Sequence, residues 1–288
     1  MVTRNAYAKI NLTLEIREKR EDGYHNIRSV MQKVSLCDTL TFEELQEEKI
    51  ILTCSVNVCA PEENLAYKAA VKYLEKYKIA TGKSFGVAVH INKVIPDKAG
   101  LAGGSADCAC VLDHLFETFG GIDYSDVEEI AASLGSDINF CLEKYRCALC
   151  TDRGIVLEKC KSYYGEYILI CVPDHGMKTG DIYRAFDASP ILYDGNPSET
   201  VKTLLNAGKQ NMIYQYTVNS FAPICEQECV DITLIKDAMR SCGALASQMS
   251  GSGSSVYGIF ENLTDLENCY NKLSSKYKKC FICKTITE

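Results

Sequence analysis

The stretch "PDKAGLAGGSADCACVLDHLFETFGG", Pro96 to Gly121, joins a glycine-rich loop directly to a helix with apolar periodicity. Glycines let a ligand approach the backbone closely, and the first turn of a helix presents unpaired amide hydrogens and positive potential. The segment before it, "FGVAVHINKVI", alternates apolar and polar residues as a strand does. Strand, loop and helix start together predict an anion site, with phosphate as its natural occupant. A tight turn that needs glycine only for its backbone freedom is the alternative.

Two other segments imitate nucleotide-binding loops. "TGKS" at Thr81 to Ser84 looks like the end of a P-loop, but Tyr77 stands where that motif requires a glycine. "GSGSSVYG" imitates a dinucleotide fingerprint, but Val256 occupies the third glycine position, and the segment runs from strand to strand rather than from strand to helix. We therefore interpret neither segment as a nucleotide motif.

Length and composition indicate a globular protein. The chain has 288 residues, of which 47% are hydrophobic and 24% charged, so it can bury a core in one domain or, as we prefer, two. A net charge of -7 removes the broad attraction that non-specific nucleic-acid binding or an anionic membrane requires. No apolar run approaches the roughly 18 residues typical of a membrane span. We expect a cytoplasmic protein with neither nucleic-acid nor membrane partners.

Sixteen cysteines are unusual in a chain of this size, but many lie in apolar segments such as "ILICVPD". This placement favours reduced core thiols over a disulfide scaffold. The two CxxC spacings, Cys147/Cys150 and Cys280/Cys283, fall in strand-like runs far apart in sequence, which favours buried small side chains over a zinc site. The metal-ligating residues of the chain, if it has any, are not identified by these cysteine spacings.

Periodicity predicts mixed α and β structure. "NAYAKINLTLEI" alternates, with Lys9, Asn11 and Thr13 on the polar face of a half-buried strand. "ENLAYKAAVKYLEKYKI" and "YSDVEEIAASLG" have helical periodicity, and we expect α+β layers rather than a regularly alternating parallel sheet. Further strands are expected near 27–36, 38–45, 49–56, 145–159, 166–173, 244–249, 255–260 and 279–286, and further helices near 180, 200, 231–241 and 264–276.

Several ordered motifs carry a family resemblance. "PDKAGLAGGSADCA" resembles the phosphate-binding motif of the galactokinase, homoserine kinase, mevalonate kinase and phosphomevalonate kinase superfamily. "AKINLTLEI" followed by "DGYHNIRSV", then "LGSDINFC" and "MSGSGSSVYGIF", resemble the 4-diphosphocytidyl-2-C-methyl-D-erythritol kinase family of the non-mevalonate isoprenoid pathway. "NLAYKAA" at Asn64 belongs to the same set. The resemblance spans nearly the whole chain.

The resemblance implies a two-domain small-molecule kinase of the α+β class. Residues 1–158 would form an N-terminal nucleotide-binding α/β domain that binds ATP and carries catalysis. Residues 159–288 would form a C-terminal ferredoxin-like-type α/β domain that binds substrate. The implied reaction is ATP-dependent phosphorylation of the 2-hydroxyl of the cytidine-diphosphate-linked methylerythritol, with Mg²⁺ as a cofactor and a small molecule as partner. The oligomeric state is left open.

The resemblance also implies site residues. Lys9 and Asp137 would be the catalytic pair. The substrate would contact Asn11 near its reacting end, Tyr24 and His25 at the cytosine ring, Thr179, and the closing turn Gly251, Ser252 and Gly253. ATP would contact Asn64 and Leu65 at the adenine and Pro96, Gly100, Leu101, Ala102, Gly103, Gly104, Ser105 and Asp107 around the phosphates.

Each of these residue types has an alternative interpretation that needs no function. A strand lysine such as Lys9 is by itself more often solvated. Asp137 could be a turn or helix-cap aspartate, and His25 could be a surface-loop histidine. His175 is interpreted as structural, although it precedes Thr179.

The chain departs from the family pattern beside the expected chemistry. Ala106 replaces a second serine, so that Ser105 and Asp107 would have to serve any magnesium ion. Charged residues stand at Asp97 and Lys98, Asn139 replaces a usual proline, and "EKYR" at 143–146 replaces a glycine pair. These changes leave open a same-fold kinase for another small alcohol, or a catalytically weakened nucleotide-binding regulatory paralogue.

Overall fold

The computed structural model describes residues 1–56 and 59–287 and divides into two compact units that alternate along the chain. The first unit consists of Met1–Ala8, Leu36–Asp97 and Ala102–Tyr145, and the second of Lys9–Ser35, Lys98–Leu101 and Arg146–Glu288. The predicted division between residues 158 and 159 stays a prediction.

Strands and helices follow one another in the mixed order that the periodicity predicts. The strands are β1 (Val2–Asn11), β2 (Thr13–Lys19), β3 (His25–Leu45), β4 (Ile50–Cys54), β5 (Gly86–Asn92), β6 (Cys147–Thr151), β7 (Val156–Lys159), β8 (Ile168–Val172), β9 (Val218–Asn219), β10 (Ala246–Met249), β11 (Val256–Ile259) and β12 (Lys279–Cys283). The α-helices are α1 (Leu65–Thr81), α2 (Gly103–Phe119), α3 (Tyr124–Leu134), α4 (Ile138–Cys141), α5 (Thr179–Ala188), α6 (Pro197–Asn206), α7 (Ala222–Glu228), α8 (Val230–Ser241) and α9 (Leu263–Ser274).

The first unit packs α1 to α4 with the strands β4, β5 and the second half of β3. β5 runs antiparallel to β3 and parallel to β4. Aromatic contacts fill the core: Phe42 stacks on His114 with ring centroids 3.8 Å apart, and Phe85 stacks on Phe119 at 4.1 Å. These contacts hold α2, and therefore its N-terminus, against the sheet.

The second unit contains an antiparallel sheet with the order β10-β11-β8-β12. With α8 between β8 and β10 and α9 between β11 and β12, the chain follows the βαββαβ sequence of ferredoxin-like folds. Leu169 and Cys171 of β8 share a core with Ile235 of α8 and Leu266 of α9. The predicted ferredoxin-like arrangement is confirmed.

The first predicted strand needs two corrections. It is two strands that break at Leu12, whose amide donates to Val30 O at 2.8 Å. It is also not half-buried, since Lys9, Asn11 and Thr13 of its polar face are 2%, 1% and 0% exposed. Polar partners from the second unit surround that face, and alternation within the strand could not reveal them.

Two further differences concern element boundaries. The strands expected at 27–36 and 38–45 form one long strand, β3, because no glycine or proline interrupts the chain between them. The short helix α7 was not predicted. Its sequence, "APICEQE", has Pro223 in the first turn, which helix starts tolerate.

Candidate active site

The glycine loop leads into a helix start whose backbone is arranged for an anion. Lys98, Gly100 and Ala102 adopt positive φ values of 51°, 76° and 59° before α2 begins at Gly103. Ala106 N donates to Ala102 O at 2.8 Å, which is the first hydrogen bond of the helix. The amides of the preceding residues of α2 therefore have no carbonyl partner within the helix. The predicted helix is present but begins inside the glycine run, at Gly103, so that Gly103, Gly104 and Ser105 form its first turn.

Within the second unit, two glycine turns touch backbone to backbone. A Cβ on Gly100 would lie 2.1 Å from Ser250 O, and a Cβ on Gly251 would lie 2.9 Å from Gly100 O and 3.3 Å from Lys9 Nζ. Ser250 Oγ donates to Gly100 O at 3.0 Å, and Lys9 N donates to Leu101 O at 3.1 Å. The structure thus brings together Lys9, Gly100 and Gly251, which lie far apart in sequence.

Asn11 connects the members of this cluster through hydrogen bonds. Its Oδ1 accepts hydrogen bonds from Lys9 Nζ at 2.6 Å and from Gly251 N at 2.9 Å. Its Nδ2 donates to Ser29 Oγ at 2.7 Å, and its backbone N donates to Ser250 Oγ at 3.3 Å. The interpretation of Lys9 as a solvated strand lysine is therefore wrong, because Lys9 is 2% exposed and held by a buried amide.

Asp137 lies in a turn of the first unit, directly before α4, and is half-buried. The turn interpretation is correct, but the carboxylate caps none of the amides of α4, all of whose residues the structure describes. The Asp137 carboxylate therefore does not serve as the N-cap of α4. The catalytic roles of Asp137 and Lys9 stay predictions.

A charged cluster lies at the start of α2 in the first unit. Lys93 Nζ donates to Asp38 Oδ2 at 2.5 Å and to Asp107 Oδ2 at 2.7 Å. Asp38 Oδ1 accepts the backbone amides of Val94 and Ile95 at 2.5 and 2.8 Å, which fixes the chain entering the glycine loop. Asp38 and Asp107 are 0% and 2% exposed.

Burial governs the protonation of this cluster. Burial raises the pKa of Asp107 to about 7, against the opposing charge of Lys93. Burial alone would lower the pKa of Lys93, but Asp107 and Asp38 outweigh it and the pKa is raised. Asp107 Oδ1 is buried and makes no hydrogen bond within residues 1–56 and 59–287.

The candidate base-binding residues lie in the second unit. Tyr24 is 55% exposed, with the Arg153 guanidinium 5.4 Å from its ring centroid. His25 is only 7% exposed, so its interpretation as a surface-loop histidine is wrong. Its Nε2 lies 2.7 Å from Asp187 Oδ1, and its ring stacks on Tyr183 at 5.2 Å. The ring of Tyr24 is thus accessible beside a histidine whose orientation is held.

The other predicted contacts divide between the two units. In the second unit, Thr179 Oγ1 and Ser252 Oγ are 2.9 Å apart, so two of the predicted substrate contacts are neighbours. In the first unit, Asn64 Oδ1 caps α1 by accepting Ala66 N at 2.9 Å. Leu65 Cδ1 lies 3.9 Å from the position of a Cβ on Gly104, so the starts of α1 and α2 are adjacent.

Ala106, Asn139 and Glu143, three of the departures from the family pattern, lie in the first unit. Ala106 is 2% exposed. Asn139 is 6% exposed, and its Oδ1 finds no hydrogen-bond partner in the described ranges. Glu143 N donates to Asp113 Oδ2 at 2.7 Å, and Tyr124 Oη donates to Asp113 Oδ1 at 2.9 Å. The "EKYR" segment therefore begins at an anchored residue.

All sixteen cysteines lie within the described residues, where each is free and eleven are buried. Across the part of the chain that the structure describes, no three His, Cys, Asp or Glu side chains are grouped to hold a metal ion. In the same residues, none of the helices combines the length and apolar character needed to span a bilayer.

Sequence reasoning missed several residues that organise these clusters. Ser29 and Ser250 form hydrogen bonds with Asn11. Asp38 and Lys93 fix the chain that enters the glycine loop. Asp187 forms a hydrogen bond with His25. Ser250 had a usable signal, since it directly precedes the "GSG" turn. Asp38 and Asp187 had none, because each acts on a partner far away in sequence.

Comparison with known proteins gives a consistent result. Residues 64–143 match the GHMP kinases N terminal domain, and residues 201–279 match the GHMP kinases C terminal domain. The chain is 35% identical to 4-diphosphocytidyl-2-C-methyl-D-erythritol kinase of Clostridium botulinum (strain Eklund 17B / Type B), over 98% of this chain and 99% of the relative. It is 36% identical to the protein of that name from Clostridium beijerinckii, with the same coverage.

Solved structures agree with these relatives. A crystal structure of 4-(cytidine 5'-diphospho)-2C-methyl-D-erythritol kinase superimposes with a TM-score of 0.82 at 29% identity, covering 99% of both chains. A mevalonate kinase crystal structure matches with a TM-score of 0.69 at 11% identity, over the full length of both chains. The second similarity concerns the fold alone.

Proposed function

Because the chain belongs to the GHMP kinase family, we propose that it transfers the γ-phosphoryl group of ATP to the 2-hydroxyl of 4-diphosphocytidyl-2-C-methyl-D-erythritol. The observation that carries the proposal is the full-length similarity, at 35% and 36% identity over 98% of the chain, to kinases named for that substrate. The product belongs to the non-mevalonate route to isoprenoids. Another small alcohol as acceptor, or a regulatory paralogue without turnover, is not favoured.

The glycine loop and the start of α2 supply the phosphate contacts in this proposal. Phosphoryl transfer has a loose transition state with charge spread over oxygens, so positioned amides and positive charge account for most of the catalysis. The amides of Gly103, Gly104 and Ser105, which precede the first hydrogen bond within the helix, and the helix dipole are suited to the phosphates of ATP. Gly100 is required as glycine, because its positive φ and its contact with Ser250 O exclude a side chain.

Asp137 and Lys9 supply the acceptor chemistry. An aspartate can take the hydroxyl proton as the alcohol oxygen attacks the γ-phosphorus, while the bond to ADP breaks. An ammonium stabilises the developing alkoxide. Asn11 orients the Lys9 ammonium through a 2.6 Å hydrogen bond, and as a neutral amide it leaves the positive charge in place.

The residues at the start of α2 fit a magnesium ion. Asp107 has a buried carboxylate oxygen without a hydrogen-bond partner among the described residues, and Ser105 carries a hydroxyl two positions earlier. Magnesium prefers such oxygen ligands, completed by phosphates and water. When bound, the ion would neutralise phosphate charge, and Asp107 or Ser105, which point to different sides of α2, would each be a candidate ligand in place of the absent second serine.

A coupled assay of ADP release, with and without the cytidylated methylerythritol, tests the proposal. We expect release to depend on that acceptor. Asp137→Asn should lower kcat by about 100- to 10,000-fold, the usual contribution of a general base, while ATP binding measured by calorimetry is retained. Asp237→Asn, an exposed aspartate on α8, is the matched control and should leave kcat unchanged. An unchanged rate in Asp137→Asn would refute the assignment of the base.

A further inference from the structure

A carboxylate on α5 holds the imidazole of His25. Asp187 Oδ1 lies 2.7 Å from His25 Nε2, and Lys19 Nζ donates to Asp187 Oδ2. Antiparallel pairing of β2 with β3 places Lys19 opposite His25, so that both side chains reach one carboxylate. The His25 side chain is 5% exposed and that of Asp187 is 30% exposed, which makes the histidine the buried member of the pair.

Aromatic packing holds the same ring in place. Tyr183 stacks on His25, and Phe186 meets it edge-on at 6.0 Å between ring centroids. Both aromatic residues also pack on Phe221 of the unit core, at 4.8 and 5.9 Å. Because α5 carries Tyr183, Phe186 and Asp187 together, the helix fixes the plane of the ring and the position of the carboxylate at once.

The hydrogen bond also decides which ring nitrogen carries the proton. The hydrogen bond from Lys19, more than any other contact, lowers the pKa of Asp187, so this carboxylate is ionised and can only accept hydrogen bonds. His25 Nε2 must then be the donor. In a neutral imidazole the other nitrogen, Nδ1, is left as an acceptor with its lone pair.

We propose that Asp187 is a positioning residue that fixes His25 as the Nε2–H tautomer and thereby makes the site select cytosine over uracil. This inference rests on the proposed function and on the contact between His25 and the cytosine ring that the family resemblance implies. An acceptor at Nδ1 pairs with the 4-amino group of cytosine, whereas uracil presents the oxygen O4 there, and two acceptors repel. A polar site of this kind discriminates strongly, because the wrong base leaves its hydrogen-bonding group unsatisfied.

The tautomer can be measured in the unmodified protein. Long-range ¹H–¹⁵N spectra of the full chain resolve the ring nitrogens of its four histidines, and His25→Gln assigns the signals. We expect the spectra of the neutral His25 ring to place its proton on Nε2 and none on Nδ1. A protonated Nδ1 would overturn the proposal without reference to any Asp187 variant.

Base selection is measured by calorimetric titration of the full chain with CMP and with UMP. We expect the wild type to bind CMP about tenfold or more tightly than UMP. Asp187→Leu should reduce this ratio to less than about threefold by weakening CMP binding, because the ring loses the acceptor that fixes its tautomer. Asp187→Asn should also lower the ratio, because Lys19 competes for its single amide oxygen and its amide nitrogen can donate to Nε2, which leaves the proton on Nδ1.

Asp181→Asn is the control, because Asp181 lies on the same helix and pairs with exposed Arg184. It should leave the CMP to UMP ratio unchanged. An Asp187→Leu protein that keeps the wild-type ratio overturns the proposal, as does a wild type that binds UMP as tightly as CMP.

Steady-state kinetics separate this inference from the proposed function. Asp187→Leu should raise the KM for the cytidylated alcohol about tenfold or more, while kcat and the KM for ATP change less than about threefold. If the wild type phosphorylates no cytidylated alcohol but Asp187→Leu still abolishes base selection, the proposed function is refuted and the positioning role of Asp187 is supported. If the wild type turns over the cytidylated alcohol and Asp187→Leu leaves these kinetics unaltered, the positioning role of Asp187 is refuted and the proposed function is supported.

Discussion

Two lysines, one in each unit, show how differently this chain uses a buried ammonium. Lys93, whose side chain is 12% exposed, donates to two carboxylates, Asp38 and Asp107, within the first unit. Lys9, which is 2% exposed, is oriented in the second unit by the neutral amide oxygen of Asn11, which it shares with Gly251 N. The first arrangement places two carboxylates on the ammonium, while the second orients the ammonium through a neutral amide oxygen.

The difference separates structural from chemical use of the same residue type. Two carboxylates around Lys93 lock the chain before the glycine loop, and the removal of one member leaves buried charge uncompensated. The neutral amide of Asn11 orients the Lys9 ammonium, and an oriented ammonium can stabilise a developing alkoxide. We therefore expect substitutions of Lys93 to affect stability and substitutions of Lys9 to affect the rate.

The largest effect is expected for Lys93→Met. It leaves Asp38 and Asp107 buried without their cation, so the free energy of unfolding should fall by about 3–5 kcal/mol. Urea denaturation followed by circular dichroism measures this loss. Lys78→Met, at an exposed pair with Glu48 in the same unit, should change stability by less than about 0.5 kcal/mol. If the two variants were equally stable, the Lys93 cluster would not hold the first unit together.

Lys9→Met should act on turnover instead. We expect kcat to fall about 100- to 1000-fold, as when a preorganised electrostatic group is lost, and this loss should be seen in the fully folded protein. Lys236→Met is the matched control, because Lys236 is 8% exposed and pairs with Glu226 within the same unit. That variant should lose stability while the folded fraction keeps its kcat. The reverse pattern would contradict the comparison of the two lysines.

The smallest effect, counted per pH unit, is the pH dependence of stability. Burial raises the pKa of Asp107 to about 7 from an ordinary value of 3.8. The folded state therefore binds more protons than the unfolded state between about pH 4 and pH 7, and this group makes stability fall as the pH rises through that range. Relative to wild type, Asp107→Asn should gain stability with rising pH, by at most about 1.4 kcal/mol per pH unit.

Thermal unfolding without nucleotide, measured from pH 4 to pH 8, provides this check. The difference between Asp107→Asn and wild type should level off above about pH 7. Lys78→Met should show no such slope. A difference that shrinks with rising pH would mean that the ion pair with Lys93, rather than burial, controls Asp107.

Much of the fold was predictable from short-range patterns. The apolar spacing of α2 and the alternation of β5 identify the strand, loop and helix around the anion site, because each repeat is set by residues within four positions. The split at Leu12 and the burial of Lys9 were not predictable. Both depend on partners such as Val30, Ser29 and Ser250, which the local pattern does not contain.

By itself the sequence determined the order of strands and helices, the glycine loop, and the family to which its motifs belong. Only the tertiary structure decided which polar side chains are buried and what they bind: Asn11 meets Gly251 across 240 positions, and His25 meets Asp187 across 162. The physical reason is that periodicity records the local geometry of one element. The protonation and orientation of a buried group are set by whichever distant atoms replace its water.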